Sequence, residues 1–222
     1  MKRLFLALGA LLLASCSDTA PQPRIACAGA DDAASVLLIY GDSWSAKQSM
    51  VEALAADNQK VCAIGYPGAN SQKLAKWVDP GKAVAALGRK PDRVLLIAGI
   101  NDAAGHSGRQ GYRKSVLAMA STFRATGSEV SLLELPNFRE GDRANSFPVR
   151  TVQTFRRYAL DGGNEHVVSG YRRTVSDGGV TVIDFDGFIG SYEQSPASYV
   201  DGRHLTDAEY GRLGRYLAPR LR

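Results

Sequence analysis

The chain has 222 residues, 45% hydrophobic and 22% charged, with 27 basic against 22 acidic side chains and a formal net charge of +5. This is the composition of a globular domain and excludes a disordered or fibrous chain. Lys2 and Arg3 belong to a leader-like start, the other basic residues are scattered, and the group near the end (Arg212, Arg215, Arg220, Arg222) reads as a solvated helix face. No stripe that could track nucleic-acid phosphates is visible.

After Lys2 and Arg3 an apolar run extends from Leu4 to Leu13, too short to span a bilayer as a stable helix. It closes on Leu13-Ala14-Ser15-Cys16, and a charged start, a short apolar stretch and small residues form the pattern of a secretory signal. Cys16 directly after Leu-Ala-Ser resembles the lipobox of bacterial lipoproteins, in which the cysteine is lipidated and becomes the first mature residue. The alternative is an ordinary signal peptide cut near this point. Ser17 stands where an aspartate would resemble an inner-membrane retention signal, which favours the outer membrane if the host has one. The remaining length, about 205 residues, suits one domain. Residues 17–34, polar, small and Pro-containing, read as a flexible tether, and the domain proper is expected over 35–222.

From residue 35 onward, buried runs alternate with helical periodicity. Strands are expected at 35–41, 60–65, 92–99, 129–135 and 180–185. Helices are expected at 46–57, in one or two pieces over 71–88 broken at Pro80-Gly81, then at 112–125, 164–176 and 207–217. Strands separated by helices imply right-handed crossovers, and near-continuous apolar strands imply helices on both faces of the sheet. The expected fold is α/β, a three-layer α/β/α sandwich on a five-stranded parallel sheet in the flavodoxin-like order 2-1-3-4-5. Residues 138–163 fit least well and read as a loop with a short helix that could lie over a site. Cys27 and Cys62 form an even pair for an exported chain, either bridged across a loop of about 35 residues or left as buried thiols.

Ligands of such sheets sit beyond the carboxyl ends of the strands, so the loops there belong together. They carry Gly41-Asp42-Ser43, then Gly65-Tyr66-Pro67-Gly68-Ala69-Asn70-Ser71, then Gly99-Ile100-Asn101-Asp102, and near the C-terminus Asp201-Gly202-Arg203-His204. At these blocks the sequence resembles the SGNH, or GDSL-type, hydrolase family, over nearly all of the expected domain. Each block alone is weak; four in this order are not.

The chemistry accounts for the residue types. A serine hydroxyl needs a base to become a nucleophile, a histidine supplies one at neutral pH, and an aspartate bonded to the other ring nitrogen fixes its tautomer. Ser43, His204 and Asp201 are the candidates, with a Thr206-x-x-Glu209 capping box starting a helix just beyond the base. Ser45 reads as the cap of the first helix. The resemblance implies an oxyanion hole from the backbone N–H groups of Ser43 and Gly68 and the Asn101 amide. Asp42 and Asp102 read as loop braces. Trp44 departs from the aliphatic or small residue usual at that place in the family. It is a candidate substrate contact or a core residue, and His106 is a second candidate contact or an exposed loop residue. The three histidines share no metal-ligand spacing and no phosphate-binding glycine loop follows the first strand, so neither metal nor cofactor is expected.

The expected activity is an exported serine esterase of the cell envelope acting on small acyl or acetyl esters, those of glycans included. Contact with the membrane is expected through the lipid anchor alone. O-acyl transfer, lysophospholipid or thioester hydrolysis, and a carbohydrate-binding module without turnover are the alternatives.

Overall fold

The five aliphatic runs pair as one sheet, because Val36–Tyr40, Val61–Ile64 and Val94–Ile97 are buried along their whole length and need cover on both faces. In this computed structural model, residues 19–55, 59–136, 159–160, 167–176, 179–190 and 194–221 are described. The strands are β1 (Arg24–Ala28), β2 (Ser35–Gly41), β3 (Gln59–Gly65), β4 (Arg93–Ile97), β5 (Glu129–Leu133) and β6 (Thr181–Ile183). Their order is β1-β3-β2-β4-β5-β6, with β1 antiparallel to β3 and every other pair parallel. Omitting β1, this is the expected order 2-1-3-4-5; the sheet has six strands rather than five.

The extra strand comes from the segment expected to be tether. Arg24–Ala28 pairs along β3 from Gly65 back to Val61, and Cys27 faces Cys62 across the pair. The two cysteines are joined in a disulfide with Cα atoms 4.1 Å apart and a sequence separation of 35. The run Arg-Ile-Ala-Cys-Ala carries one large hydrophobic residue, too little apolar surface to announce a strand, so pairing and cross-link hold it instead. We expect Cys27→Ser to lower the unfolding free energy by about 4 kcal/mol in the chain-entropy picture of a loop this long. A lowered urea midpoint with a steeper slope, as the freed unfolded chain expands, would register it.

The helices are α1 (Gln48–Leu54), α2 (Ser71–Trp77), α3 (Pro80–Leu87), α4 (Ile100–Ala104), α5 (Arg109–Ala125), α6 (Val167–Ser176) and α7 (Asp207–Leu217). Helices α1 and α7 pack together on one face, while α2, α5 and α6 pack in succession on the other. The break expected at Pro80-Gly81 lies one step earlier. Asp79 caps α3 by accepting from the Gly81 and Lys82 N–H groups, and Pro80 takes the first helical position, where no N–H is needed. Helix α1 starts at Gln48 with Lys47 before it, so Ser45 does not cap it. Residues 1–16, with Cys16, lie outside the described residues, as do His166 and all of 138–163 except Ala159 and Leu160. No described helix is long and apolar enough to cross a membrane.

Candidate active site

Strand β2 ends in a row formed by Gly41, Gly65 on β3 and Ile97 on β4. A side chain at 41 would collide with the Ile97 carbonyl oxygen and the Ser45 hydroxyl, so only glycine lets the chain turn this tightly over β4. The turn is sewn down by Asp42 N–H to Ile97 O (3.1 Å), Ser45 N–H to Asp42 O (3.2 Å) and Trp44 N–H to Asp42 Oδ1 (3.0 Å). Ser43 is left at the rim, half-buried.

His204 reaches it from the other end of the chain. Its Nε2 lies 2.8 Å from Ser43 Oγ across 161 residues of sequence. Its Nδ1 lies 2.8 Å from Asp201 Oδ2. A carboxylate only accepts, so the proton sits on Nδ1 and Nε2 is free to accept from the serine. Asp201 Oδ1 accepts from the backbone N–H groups of Arg203 (3.0 Å) and His204 (2.8 Å), so the carboxylate shapes the loop and orients the ring together. Burial works against ionising Asp201, but the hydrogen bonds from the His204 ring and from the two N–H groups outweigh it and hold its pKa below the usual carboxylate value. Thr206 Oγ1 accepts from Glu209 N–H and starts α7 two residues after the histidine, one half of the expected capping box; the Thr206 N–H donates to Ser198 O instead, and the Glu209 carboxylate accepts from Arg212.

Two further loops close the rim. Asn101, at the head of α4, donates its side-chain amide to Ala69 O (2.9 Å). Its neighbour Asp102, fully buried, accepts from Ser71 N–H and Ser71 Oγ–H, both at 2.7 Å. Three bonds from consecutive residues therefore clamp the loop that carries Gly68. Gly68 has φ +76°, a backbone conformation L side chains avoid, and the space where a side chain would stand is open. Among the described residues, a serine, an imidazole and a carboxylate are thus joined in a line. The same end of the sheet carries a glycine turn with open space at its Cβ position and an amide held in place.

The GDSL-like lipase/acylhydrolase profile matches residues 28–212. The chain belongs to this family. It is an ester-hydrolysing serine hydrolase. No curated protein matches it in sequence. Among solved structures, a G-D-S-L family protein from Desulfitobacterium hafniense aligns with TM-score 0.61 at 14% identity, covering 84% of this chain and 99% of the other. A GDSL-like lipase from Bacteroides thetaiotaomicron aligns with TM-score 0.58 at 16% identity, covering 83% and 86%. A catalytic mutant of an acetylxylan esterase from Geobacillus stearothermophilus aligns with TM-score 0.55 at 18% identity, covering 83% and 93%. At these identities the likeness is one of fold.

Two expected substrate contacts in this acylhydrolase fare differently. Trp44 is 0% exposed and lies edge-on to Phe185 and Tyr210, so the core reading holds and the contact reading fails. Its Nε1–H donates to Arg203 O at 3.0 Å. The residue after the serine thereby grips the residue before the histidine, a link across 159 positions that no local pattern announces. Trp44→Phe keeps a ring but loses that bond. We expect it to lower kcat about tenfold with KM nearly unchanged, through a loosened Ser43–His204 approach; steady-state kinetics read both. His106 occupies the turn after α4 at φ +49°, half-buried, with its N–H on Ala103 O. It stands outside the Ser43–His204–Asp201 line.

Asp42 braces from below. It is 1% exposed, and its Oδ2 has no hydrogen-bond partner among the described residues. Burial pushes its pKa up to about 7, against the Trp44 N–H bond and with help from the charge of Asp102. An acid harder to ionise when folded holds its proton more tightly in the folded chain. Its contribution to stability is therefore full below about pH 4 and is lost as pH rises through about 7. Asp42→Asn, which cannot ionise, should gain on the parent by up to about 1.4 kcal/mol per pH unit across that window. Urea midpoints at pH 4.5 and pH 7.5 (chosen on the order of the window's limits) would show it.

Proposed function

We propose that the chain is an exported, lipid-anchored serine esterase that removes small acyl groups, acetyl esters of glycans among them, through an acyl-enzyme on Ser43. The observation that carries the chemistry is the unbroken line Ser43 Oγ, His204 Nε2, His204 Nδ1, Asp201 Oδ2, each step 2.8 Å. In the first half-reaction His204 takes the hydroxyl proton as Ser43 Oγ bonds to the ester carbonyl carbon. The carbonyl oxygen gains the negative charge, met by the Ser43 and Gly68 N–H groups and the Asn101 amide. Collapse breaks the ester bond, and His204 passes its proton to the departing alcohol. Water repeats the sequence on the acyl-serine and releases the acid.

Acetyl esters are favoured by the acetylxylan esterase among the fold's relatives and by the open space at the Gly68 Cβ position. Export and anchoring rest on Lys2, Arg3, the apolar run 4–13 and Leu-Ala-Ser-Cys16. The test is a fluorophosphonate probe followed by peptide mass spectrometry, beside p-nitrophenyl acetate hydrolysis by residues 17–222. The expected result is one adduct, on Ser43, that abolishes turnover. Turnover that survives with Ser43 unlabelled would overturn the mechanism.

A further inference from the structure

We infer that the catalytic rim of the sheet is also the surface that docks on the lipid bilayer holding the anchor. This rests on the anchoring at Cys16 proposed above. Because β1 runs antiparallel to β3, its first residue, Arg24, stands beside Gly65 in the row that ends at Gly41 and Ile97. The chain therefore enters the domain at the end of the sheet where Ser43 lies. Only β3 separates β1 from β2, so that point is about 10 Å across the sheet from the nucleophile's strand. Ala20 still packs against the core, and the disulfide pins β1 in place.

The reach of the leash then sets the orientation. From Cys16 to Arg24 are eight peptide units, about 27 Å when fully extended. A globule of this size is about 40 Å wide, so a path around it to the far pole would need on the order of 60 Å. The rim must lie on the membrane-facing half.

The surface agrees. Four large hydrophobic residues are exposed among those described: Ile25, Val84, Leu160 and Val200. Three of them belong to the rim. Val200, 72% exposed, precedes Asp201 and donates its N–H to His204 O. Leu160 packs beside Gly108, in the turn between α4, whose head carries Asn101, and α5. Ile25 stands on β1 one residue inside the row. The opposite end of the sheet carries no exposed large hydrophobic residue among those described. There a cavity of about 330 Å³ is lined by Arg93, Arg124, Glu129, Ser131, Thr181 and Arg220, and its two apolar lining residues, Val130 and Leu221, are buried. Apolar residues suit the headgroup–acyl boundary. Esters borne by that bilayer, or displayed just above it, would meet Ser43 at high effective concentration.

The experiment uses the full-length lipidated protein in phosphatidylethanolamine–phosphatidylglycerol vesicles containing a headgroup-labelled acceptor lipid. With Cys27 and Cys62 bridged and Cys16 carrying lipid, a cysteine introduced by Val200→Cys or Thr181→Cys is the sole thiol for a donor dye. Energy transfer should be at least twice as efficient from position 200 as from position 181. Equal or reversed efficiencies, or protein that does not associate with vesicles, would overturn the inference. Hydrolysis of p-nitrophenyl acetate by the unlabelled protein is measured alongside. Turnover with reversed transfer removes the orientation and leaves the esterase standing, and the expected transfer without turnover does the opposite.

Discussion

Ser43→Ala should reduce turnover of p-nitrophenyl acetate by on the order of 10⁶ in kcat, and His204→Ala should match it. The two losses share one cause. The serine oxygen is nucleophilic only while Nε2, 2.8 Å away, can receive its proton, so removing either partner removes the same step. The double variant should therefore be no slower than either single one, a grossly non-additive result that independent contributions could not produce. What survives should still exceed the reaction in water, because Gly68 and the Asn101 amide keep their places when the serine oxygen is gone. Asn101 is held by Ala69 O, and its neighbour Asp102 holds Ser71; neither bond involves residue 43. Folding should be little changed by Ser43→Ala, since the turn is kept by backbone bonds of Asp42 and Ser45 and by Gly41. Single-turnover release of p-nitrophenolate, with thermal melting as the control, decides it.

Much of this was legible in the sequence because the site lies where strands end. A parallel sheet with right-handed crossovers places successive loops on one rim, so Gly41-Asp42-Ser43, Gly68, Asn101 and the Asp201–His204 segment could be grouped from order alone. The five parallel strands followed from the alternation of strands and helices, and their order from the flavodoxin-like arrangement expected of such a sheet. What stayed hidden depends on contacts distant in sequence and weak in pattern. Strand β1 has no apolar alternation and is held by its pairing with β3 and by a cross-link 35 residues long. Ser45 looked like a helix cap because it is a serine near a helix start, but it lies buried beneath the turn at Gly41. Trp44 was ambiguous because an indole suits a cleft and a core equally; the bond to Arg203 O and the packing with Phe185 and Tyr210 resolve it. Asp102 was visible as a brace, but its partner, Ser71, was not.

Asp201→Asn should lower kcat by about 10⁴ while leaving KM and the melting temperature close to those of the parent. Asparagine has nearly the same shape, and its oxygen can take the place of Asp201 Oδ1, accepting from the Arg203 and His204 N–H groups that form the loop. Its nitrogen must then occupy the place of Oδ2, 2.8 Å from the His204 ring. An amide nitrogen donates where the carboxylate accepted, so Nδ1 must become the acceptor and the ring proton moves to Nε2. The imidazole would point a hydrogen at Ser43 instead of a lone pair, a base turned the wrong way in an otherwise intact site. Asp201→Ala separates the two duties of this residue. It removes the loop bonds as well as the ring bond, so it should lower stability and activity together, whereas the asparagine variant should lose activity alone. The carboxylate is also held below its ordinary pKa by its three bonds, so in the parent it stays ionised throughout the neutral and mildly acid range. Asp201 should therefore lose its charge, and the ring its orientation, only below the usual carboxylate value. A kcat–pH profile of parent and asparagine variant should differ greatly in height throughout the neutral and mildly acid range, the carboxylate acting there by orienting the ring. A limb in the neutral range that the parent shows and the variant lacks would assign Asp201 a titrating role there instead.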